Sequence, residues 1–308
     1  MAVFFTLFIK LIPLYLIIAL GFVGAKKLGA QKETIARLLI YIITPVIVFY
    51  GAYTVDITPE NLSLPFIFYV LASFSSLIFL MIGNYVFRAD STKNILAFSA
   101  GVGNTGYFWL PVVSAVLWDK AFSVAVIAML GFIVYENSLG FFIAAKGNHS
   151  TKESLFRVIK LPSLYTFFIG LLLNFFKFPA FEIISTTATH FKWAYTILGM
   201  MMVGMGLAST NIRQFDYKFT WLAFLAKFIF WPSIVLCIIT LDRYYMHFYT
   251  PLIYNIFLIM AIVPMAANTV SIATELKIHP EKASLAVFAS TIFGLFYIPI
   301  IISLFISY

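Results

Sequence analysis

Long runs of apolar residues, separated by short polar stretches, dominate the chain. A helix needs about 20 such residues to cross a bilayer. Runs of this length lie at 4–25, 34–54, 62–87, 93–117, 121–145, 157–176, 189–209, 218–240, 251–274 and 283–306. The pattern predicts an all-α polytopic membrane protein with ten transmembrane helices, numbered here as segments 1 to 10.

Segments 4 and 9 are interrupted by residues that disfavour a helix. Inside a helix, glycine costs about 1 kcal/mol and proline about 3 kcal/mol relative to alanine. In lipid, a break survives only where it is buried in protein or lines an aqueous cavity. The predicted helix-breaking residues are Gly103, Gly106, Pro111 and Pro264, which flank the Asn-Thr pairs Asn104-Thr105 and Asn268-Thr269. Two interrupted segments at matching positions of two halves indicate a transporter's binding site.

Short landmarks recur in the same order along the chain. The Asn-Thr pairs lie in segments 4 and 9, and the similar triplets Asp119-Lys120-Ala121 and Glu281-Lys282-Ala283 precede segments 5 and 10. This order predicts two repeats of five segments each, residues 1–148 and 149–308. An odd number of segments forces the two repeats into opposite orientations, which makes the predicted architecture a 5+5 inverted repeat.

Composition supports the membrane class. Hydrophobic residues make up 62% of the chain and charged residues 10%, whereas about 25% charged is usual in soluble proteins. The net charge of +8 does not indicate a nucleic-acid partner, because the basic residues lie in short loops between apolar segments. Alternate loops hold most of them: Lys26, Lys27, Lys32, Arg37, Arg88, Lys93, Lys146, Lys152, Arg157, Lys160, Arg213, Lys218, Lys277 and Lys282. The positive-inside rule therefore predicts that both termini lie outside the cytoplasm.

The breaks carry candidate anion-binding groups. Broken helices expose backbone N–H groups and positive dipole ends at mid-membrane, where carboxylates bind well. Asn104 and Asn268 add amides that can contact a substrate, or they can cap their own broken helices. The same two roles stay open for Thr105 and Thr269.

Two ionisable side chains lie inside predicted segments. Glu136 in segment 5 is a candidate proton carrier, because a carboxylate within the membrane is costly to bury and usually marks a functional site. It can instead pair with a basic residue or reach the cytoplasmic boundary. Lys227 in segment 8 is a candidate partner for Glu136, a countercharge for an anion, or a side chain that snorkels to the interface.

The motifs in the breaks resemble those of the auxin efflux carrier family, the PIN-like transporters of the bile acid/auxin-type inverted-repeat superfamily. The residues concerned are Gly103-Asn104-Thr105-Gly106 with Leu110-Pro111, and Pro264-x-Ala266-Ala267-Asn268-Thr269. The resemblance implies a scaffold of segments 1, 2, 6 and 7 and a moving transport domain of segments 3–5 and 8–10. It also implies that segments 4 and 9 cross, that the protein is a homodimer, and that Asn137 contacts substrate. The short loop at 146–156 favours a bacterial type of member, in the inner membrane.

The function expected on these grounds is secondary transport of a small organic anion, an auxin-like aromatic acid or a mono- or dicarboxylate. Transport would follow an alternating-access mechanism of the elevator type, with the anion bound where segments 4 and 9 cross. The alternative is a sodium-coupled symporter of the bile-acid type, which needs a cluster of carboxylates and amides at the crossing. No enzyme, cofactor or metal site is predicted, because the four histidines lack metal-ligand spacing. Gly101, Gly103 and Gly106 spell a dinucleotide motif without the strand that this motif requires.

Overall fold

The computed structural model describes residues 2–88, 90–145, 160, 162–179, 182–208 and 216–305. Within these residues all regular structure is helical, apart from one isolated antiparallel bridge. Helices are numbered in chain order: α1 Ala2–Leu28, α2 Lys32–Thr54, α3 Pro59–Val86, α4a Thr92–Gly101, α4b Thr105–Leu117, α5 Ala121–Ala145, α6 Pro162–Phe175, α7 Glu182–Ala208, α8 Tyr217–Met246, α9a Pro251–Ile262, α9b Asn268–Leu276 and α10 Pro280–Phe305.

Several of these helices suit a bilayer. Helices α2, α3, α5, α8 and α10 are each long and apolar enough to cross one, and α4b, α6 and α9a are shorter apolar helices. The protein is therefore an all-helical, polytopic membrane protein. The predicted repeat boundary at 148/149 and the predicted start of segment 6 lie outside the described residues.

The chain reverses direction between α4b and α5, although its backbone is helical throughout Leu110–Asn137. The rings of Trp109 and Phe132 lie 6.5 Å apart. A straight helix would separate them by about 34 Å, at 1.5 Å per residue. The two limbs therefore lie side by side, with the polar Asp119-Lys120 pair between them in the sequence.

At two prolines within the long helices, tyrosine hydroxyls bind the carbonyls that the prolines leave free. A proline lacks the N–H that would bond to the carbonyl four residues earlier. Pro232 thus frees the carbonyl of Phe228, which accepts a hydrogen bond from the Tyr297 hydroxyl at 3.3 Å. Pro299 frees the carbonyl of Leu295, which accepts one from the Tyr15 hydroxyl at 2.8 Å. These bonds connect α10 to α8 and to α1.

Glycines allow two close helix pairs. Gly204 of α7 packs directly against the backbone of Ile18 in α1, and Gly170 of α6 packs against the backbone of Phe49 in α2. A side chain at either glycine would overlap the neighbouring carbonyl. Backbone approach of this kind is typical of helix pairs in membranes.

The predicted start of segment 7 was wrong. Helix α7 begins at Glu182 rather than near residue 189. Its first turns are polar, but the hydroxyls of Ser185 and Thr189 donate to carbonyls of their own helix at 2.8 Å. These hydroxyls are satisfied within the helix, so a polar sequence is helical here where hydropathy predicts a loop.

Candidate functional site

The two breaks meet in space. Gly103 and Met265 form the isolated antiparallel bridge, and the Asn104 N–H donates to the Pro264 carbonyl at 2.8 Å. A side chain on Gly103 would lie 2.9 Å from the Val263 side chain. The backbone pairing therefore requires glycine at this position, and it brings the inner ends of four half-helices together.

Side chains from two other helices satisfy the carbonyl end of α4a. Ser75 Oγ on α3 and Trp231 Nε1 on α8 both donate to the Ala100 carbonyl at 2.7 Å. Free carbonyls at the end of a buried helix need such donors. This end of the break is thereby fixed by the protein itself.

The side-chain amide of Asn104 has a hydrogen-bond partner for its oxygen but not, in the described part of the chain, for its nitrogen. Its Oδ1 accepts a hydrogen bond from the Tyr107 N–H at 3.2 Å, which caps the start of α4b. Its Nδ2 is buried and has no hydrogen-bond partner among the described residues. Buried polar atoms are nearly always paired, so an unpaired donor requires an explanation such as a bound ligand or water. The capping role and the substrate-contacting role weighed from the sequence are thus compatible in one side chain.

A small, partly open cavity lies beside Asn104. Asn104 and Ala267, the residues that immediately precede α4b and α9b, both line it. The remaining lining residues are Lys32, Met202, Val203, Gly206, Val270, Ser284, Val287, Phe288 and Thr291. The N-terminal ends of two half-helices therefore converge on one largely apolar cavity, and such ends favour an anion.

Apart from the residues at the breaks, the cavity is lined where α2 and α10 begin and where α7 ends. On the other side of Asn104, helices α4b and α7 touch. The rings of Tyr107 and Tyr195 lie 6.4 Å apart, and a side chain on Gly106 would be 2.8 Å from the Tyr195 hydroxyl. The site is thus closed by packed tyrosines on the side away from Lys32.

Glu136 and Lys227, which the sequence offered as a candidate ion pair, have other neighbours in the structure. Glu136 Oε2 accepts a hydrogen bond from Asn268 Nδ2 at 2.9 Å. Lys227 is fully buried, and its Nζ makes no hydrogen bond within the part of the chain that the structure describes. The Lys227 ammonium lies 4.8 Å from the centre of the Trp231 ring. The structure does not bring Glu136 and Lys227 together as an ion pair, because α5 directs Glu136 toward α9b instead.

Lys227 lies beside the carbonyl ends of two half-helices. Its Nζ is 3.0 Å from the position that a Cβ on Gly103 would occupy, and Val263, which follows α9a, contacts the same position. Helix C-termini carry partial negative charge and favour cations. The Lys227 amino group thus lies on the side of the break where α4a and α9a end, and the N-terminal ends of α4b and α9b lie on the side of the cavity.

The other predicted substrate-binding residues lie near the site but do not line the cavity. Asn137 donates to the Ile133 carbonyl of its own helix at 2.9 Å. Thr105 is buried, and Thr269 is fully buried with no hydrogen-bond partner for its hydroxyl among the described residues. Pro111, predicted to break the helix, instead lies in the first turn of a regular α-helix that follows the break. Of the predicted substrate contacts, Asn104 is the residue that the described structure places in the cavity wall.

Comparison with known families gives the class of protein. The chain matches the family described as Membrane transport protein over residues 6–302. The chain belongs to the membrane transport protein family. No curated protein matches it. The family includes the auxin efflux carriers, so the resemblance found in the breaks is consistent with it. Members of this family are transporters rather than enzymes.

Sequence reasoning missed several residues of this membrane transport protein's cavity. Lys32 was treated only as a marker of orientation, and Ser284 and Thr291 were not singled out. The signal available for Lys32 was its place at the start of an apolar segment, which is also the usual place of an interfacial lysine. The sequence alone does not distinguish a lysine that lines the cavity from one that only marks the membrane interface.

Proposed function

We propose that this membrane transport protein is a secondary carrier of a small organic anion, bound in the cavity beside Asn104. The observation that supports this is the convergence of the α4b and α9b N-termini on one cavity, at the unpaired Nδ2 of Asn104. Half-helix N-termini directed at an anionic group are a recurring device of carriers built from broken helices.

Neutral donors suit the task of a carrier. Neither break contains Lys or Arg, so the carboxylate meets an amide and backbone dipoles at the base of the cavity. An amide or a backbone N–H binds a carboxylate by one hydrogen bond, whereas an arginine adds a full positive charge and can bind it with two parallel hydrogen bonds. A site that must release its anion on the other side gains from the weaker, uncharged donors. The apolar wall, which includes Met202, Val203 and Phe288, suits the body of an aromatic acid or of another monocarboxylate or dicarboxylate.

The architecture proposed for transport is the inverted repeat with a scaffold and a moving domain. The helix pairs α1–α7 and α2–α6 support it, because an inverted repeat would relate one pair to the other. The cavity also lies between α4, α9 and α10 on one side and α2 and α7 on the other. Movement of the first group against the second would carry Asn104 across the membrane by alternating access of the elevator type, in a homodimer.

Uptake into proteoliposomes tests the function. The panel is labelled phenylacetate, indole-3-acetate, malonate and succinate, with and without pH and sodium gradients. We expect saturable accumulation of at least one anion, with no dependence on ATP. Liposomes that hold the Asn104→Ala variant, matched for protein content, are the control. Equal uptake by liposomes with and without the parent protein would contradict the proposal, and sodium-dependent uptake would favour the symporter instead.

A further inference from the structure

The mouth of the cavity carries a lysine that the proposed mechanism has not yet used. Lys32 is the first residue of α2, is partly buried, and lines the same cavity as Asn104. Its Nζ is 3.8 Å from the position that a Cβ on Gly206 of α7 would occupy. The ammonium group therefore reaches across the mouth from α2 to α7, into space that a larger residue at 206 would fill.

No carboxylate within the described residues pairs with this ammonium. The described ion pairs at this end of the molecule involve Asp90, Asp216, His279, Glu281 and Lys282, and Lys32 takes part in none of them. Its exposed sequence neighbour Glu33 acts on Lys32 through its charge but forms no ion pair with it within the described residues. A partly desolvated cation in a narrow cavity attracts an anion more strongly than one in open water does.

We propose that Lys32 is a second anion-binding group of the cavity, which holds the carboxylate of an organic anion at the mouth before it reaches Asn104. This inference rests on the proposed function. Lys32 belongs to α2, and Asn104 lies between α4a and α4b. The two groups would therefore separate when the domain that carries α4a and α4b moves. Lys32 then acts only in the state that is open toward the start of α2, and it raises affinity on that side of the membrane.

A charge-restoration experiment tests the role of the ammonium group. Lys32→Cys is made in a Cys237→Ser background, because Cys237 is the only cysteine of the chain and is exposed. The purified variant is treated with 2-aminoethyl methanethiosulfonate, which places an ammonium on the cysteine, or with methyl methanethiosulfonate, which adds a neutral group. The measured quantity is the dissociation constant for labelled phenylacetate and labelled malonate.

We expect Lys32→Cys to weaken binding by about 3- to 10-fold, between the values of a solvent-exposed pair and a buried one. The aminoethyl reagent should restore affinity, and the methyl reagent should not. Arg37→Cys is the matched control, because Arg37 is exposed on the same helix and does not line the cavity. Its affinity should not change with either reagent.

Other results would count against the role of Lys32 or against the carrier function itself. Unchanged affinity in Lys32→Cys, or equal restoration by both reagents, would overturn the role of the Lys32 charge while leaving the carrier function intact. If the Cys237→Ser parent binds none of the four labelled anions of the uptake panel, the proposed function is overturned, and this inference with it.

Discussion

Single polar residues around the breaks divide into those that have partners and those that do not. Asn268 and Glu136 form a hydrogen bond with each other, whereas Asn104 Nδ2 and Lys227 Nζ have no hydrogen-bond partner in the described ranges of the chain. The residue types were predictable from the sequence, because polar groups stand out in apolar segments. Their pairing was not, because helices that are apolar on every side give no signal of their rotation.

Lys227→Met is expected to stabilise the protein and to impair transport. Desolvation of an unpaired cation costs several kcal/mol, whereas a helix C-terminus returns at most about 2 kcal/mol. A methionine of similar length should therefore raise the free energy of unfolding by about 1–4 kcal/mol. Thermal unfolding in detergent and anion uptake measure the two effects. Lys218→Met, an exposed change on the same helix, is the control. Lower stability with unchanged uptake would mean that Lys227 is a structural cation.

Asn268→Asp is expected to destabilise the protein more than Asn268→Ala does. Alanine leaves the Glu136 carboxylate without its donor, at a cost of about 1.5–3 kcal/mol. Aspartate places a second carboxyl group about 3 Å away, and because two buried carboxylates so close repel each other, one of them must take up a proton, which raises the cost further. Thermal unfolding at neutral pH measures both variants, with Glu136→Gln as a control that keeps a neutral partner for Asn268. An Asn268→Asp variant as stable as the parent would refute the importance of this bond.

Whole helices were predicted better than their irregularities. Apolar runs gave the extents of α3, α5 and α10 to within a few residues, because length and hydropathy suffice for a segment in lipid. Glycine, proline and Asn-Thr pairs located both breaks. The start of α7 was missed, because the self-bonded hydroxyls of Ser185 and Thr189 look like loop residues. The direct bonding between the breaks depends on folding and is not encoded locally.

An ion cluster joins three helix ends on the side where the cavity opens. Lys282 Nζ of α10 lies 2.9 Å from Asp216, which caps α8, and 3.6 Å from Asp90, which precedes α4a. His279 Nε2 lies 2.8 Å from Asp90. Burial opposes the charged form of Asp90, but hydrogen bonds from Thr92 and His279 and the charge of His279 lower its pKa from 3.8 to about 2.

The Asp90 cluster should stabilise the protein in a pH-dependent way. Because folding lowers the pKa of Asp90, its contribution is fully present above pH of about 4 and is lost as the pH falls toward about 2. The unfolding temperature of Asp90→Asn should therefore lie below that of the parent at about pH 5–6, and the difference should shrink as the pH falls below about 4. Thermal unfolding of both proteins across this range measures it. A difference that does not vary with pH would contradict the role of the charge.

The molecule as a whole is expected to place both termini outside the cytoplasm, in a bacterial inner membrane. The basic residues at the end of α1 and the start of α2 then face the cytoplasm. In a Cys237→Ser background, Lys27→Cys should react with a membrane-impermeant maleimide only after the cells are opened. Asp56→Cys, exposed beyond the far end of α2, should react in intact cells. The reverse pattern would invert the topology and place the cavity's opening outside.

The dissociation constant of the best-transported anion for Asn104 variants tests most directly whether the break is the binding site. Asn104→Ala removes one hydrogen bond to a charged group, worth about 1.5–3 kcal/mol, and should weaken binding by roughly 10- to 150-fold. Asn104→Asp should bind more weakly still, because it places a like charge against the carboxylate. If folded Asn104→Ala and Asn104→Asp both bind the anion as the parent does, Asn104 only caps α4b and the anion binds elsewhere.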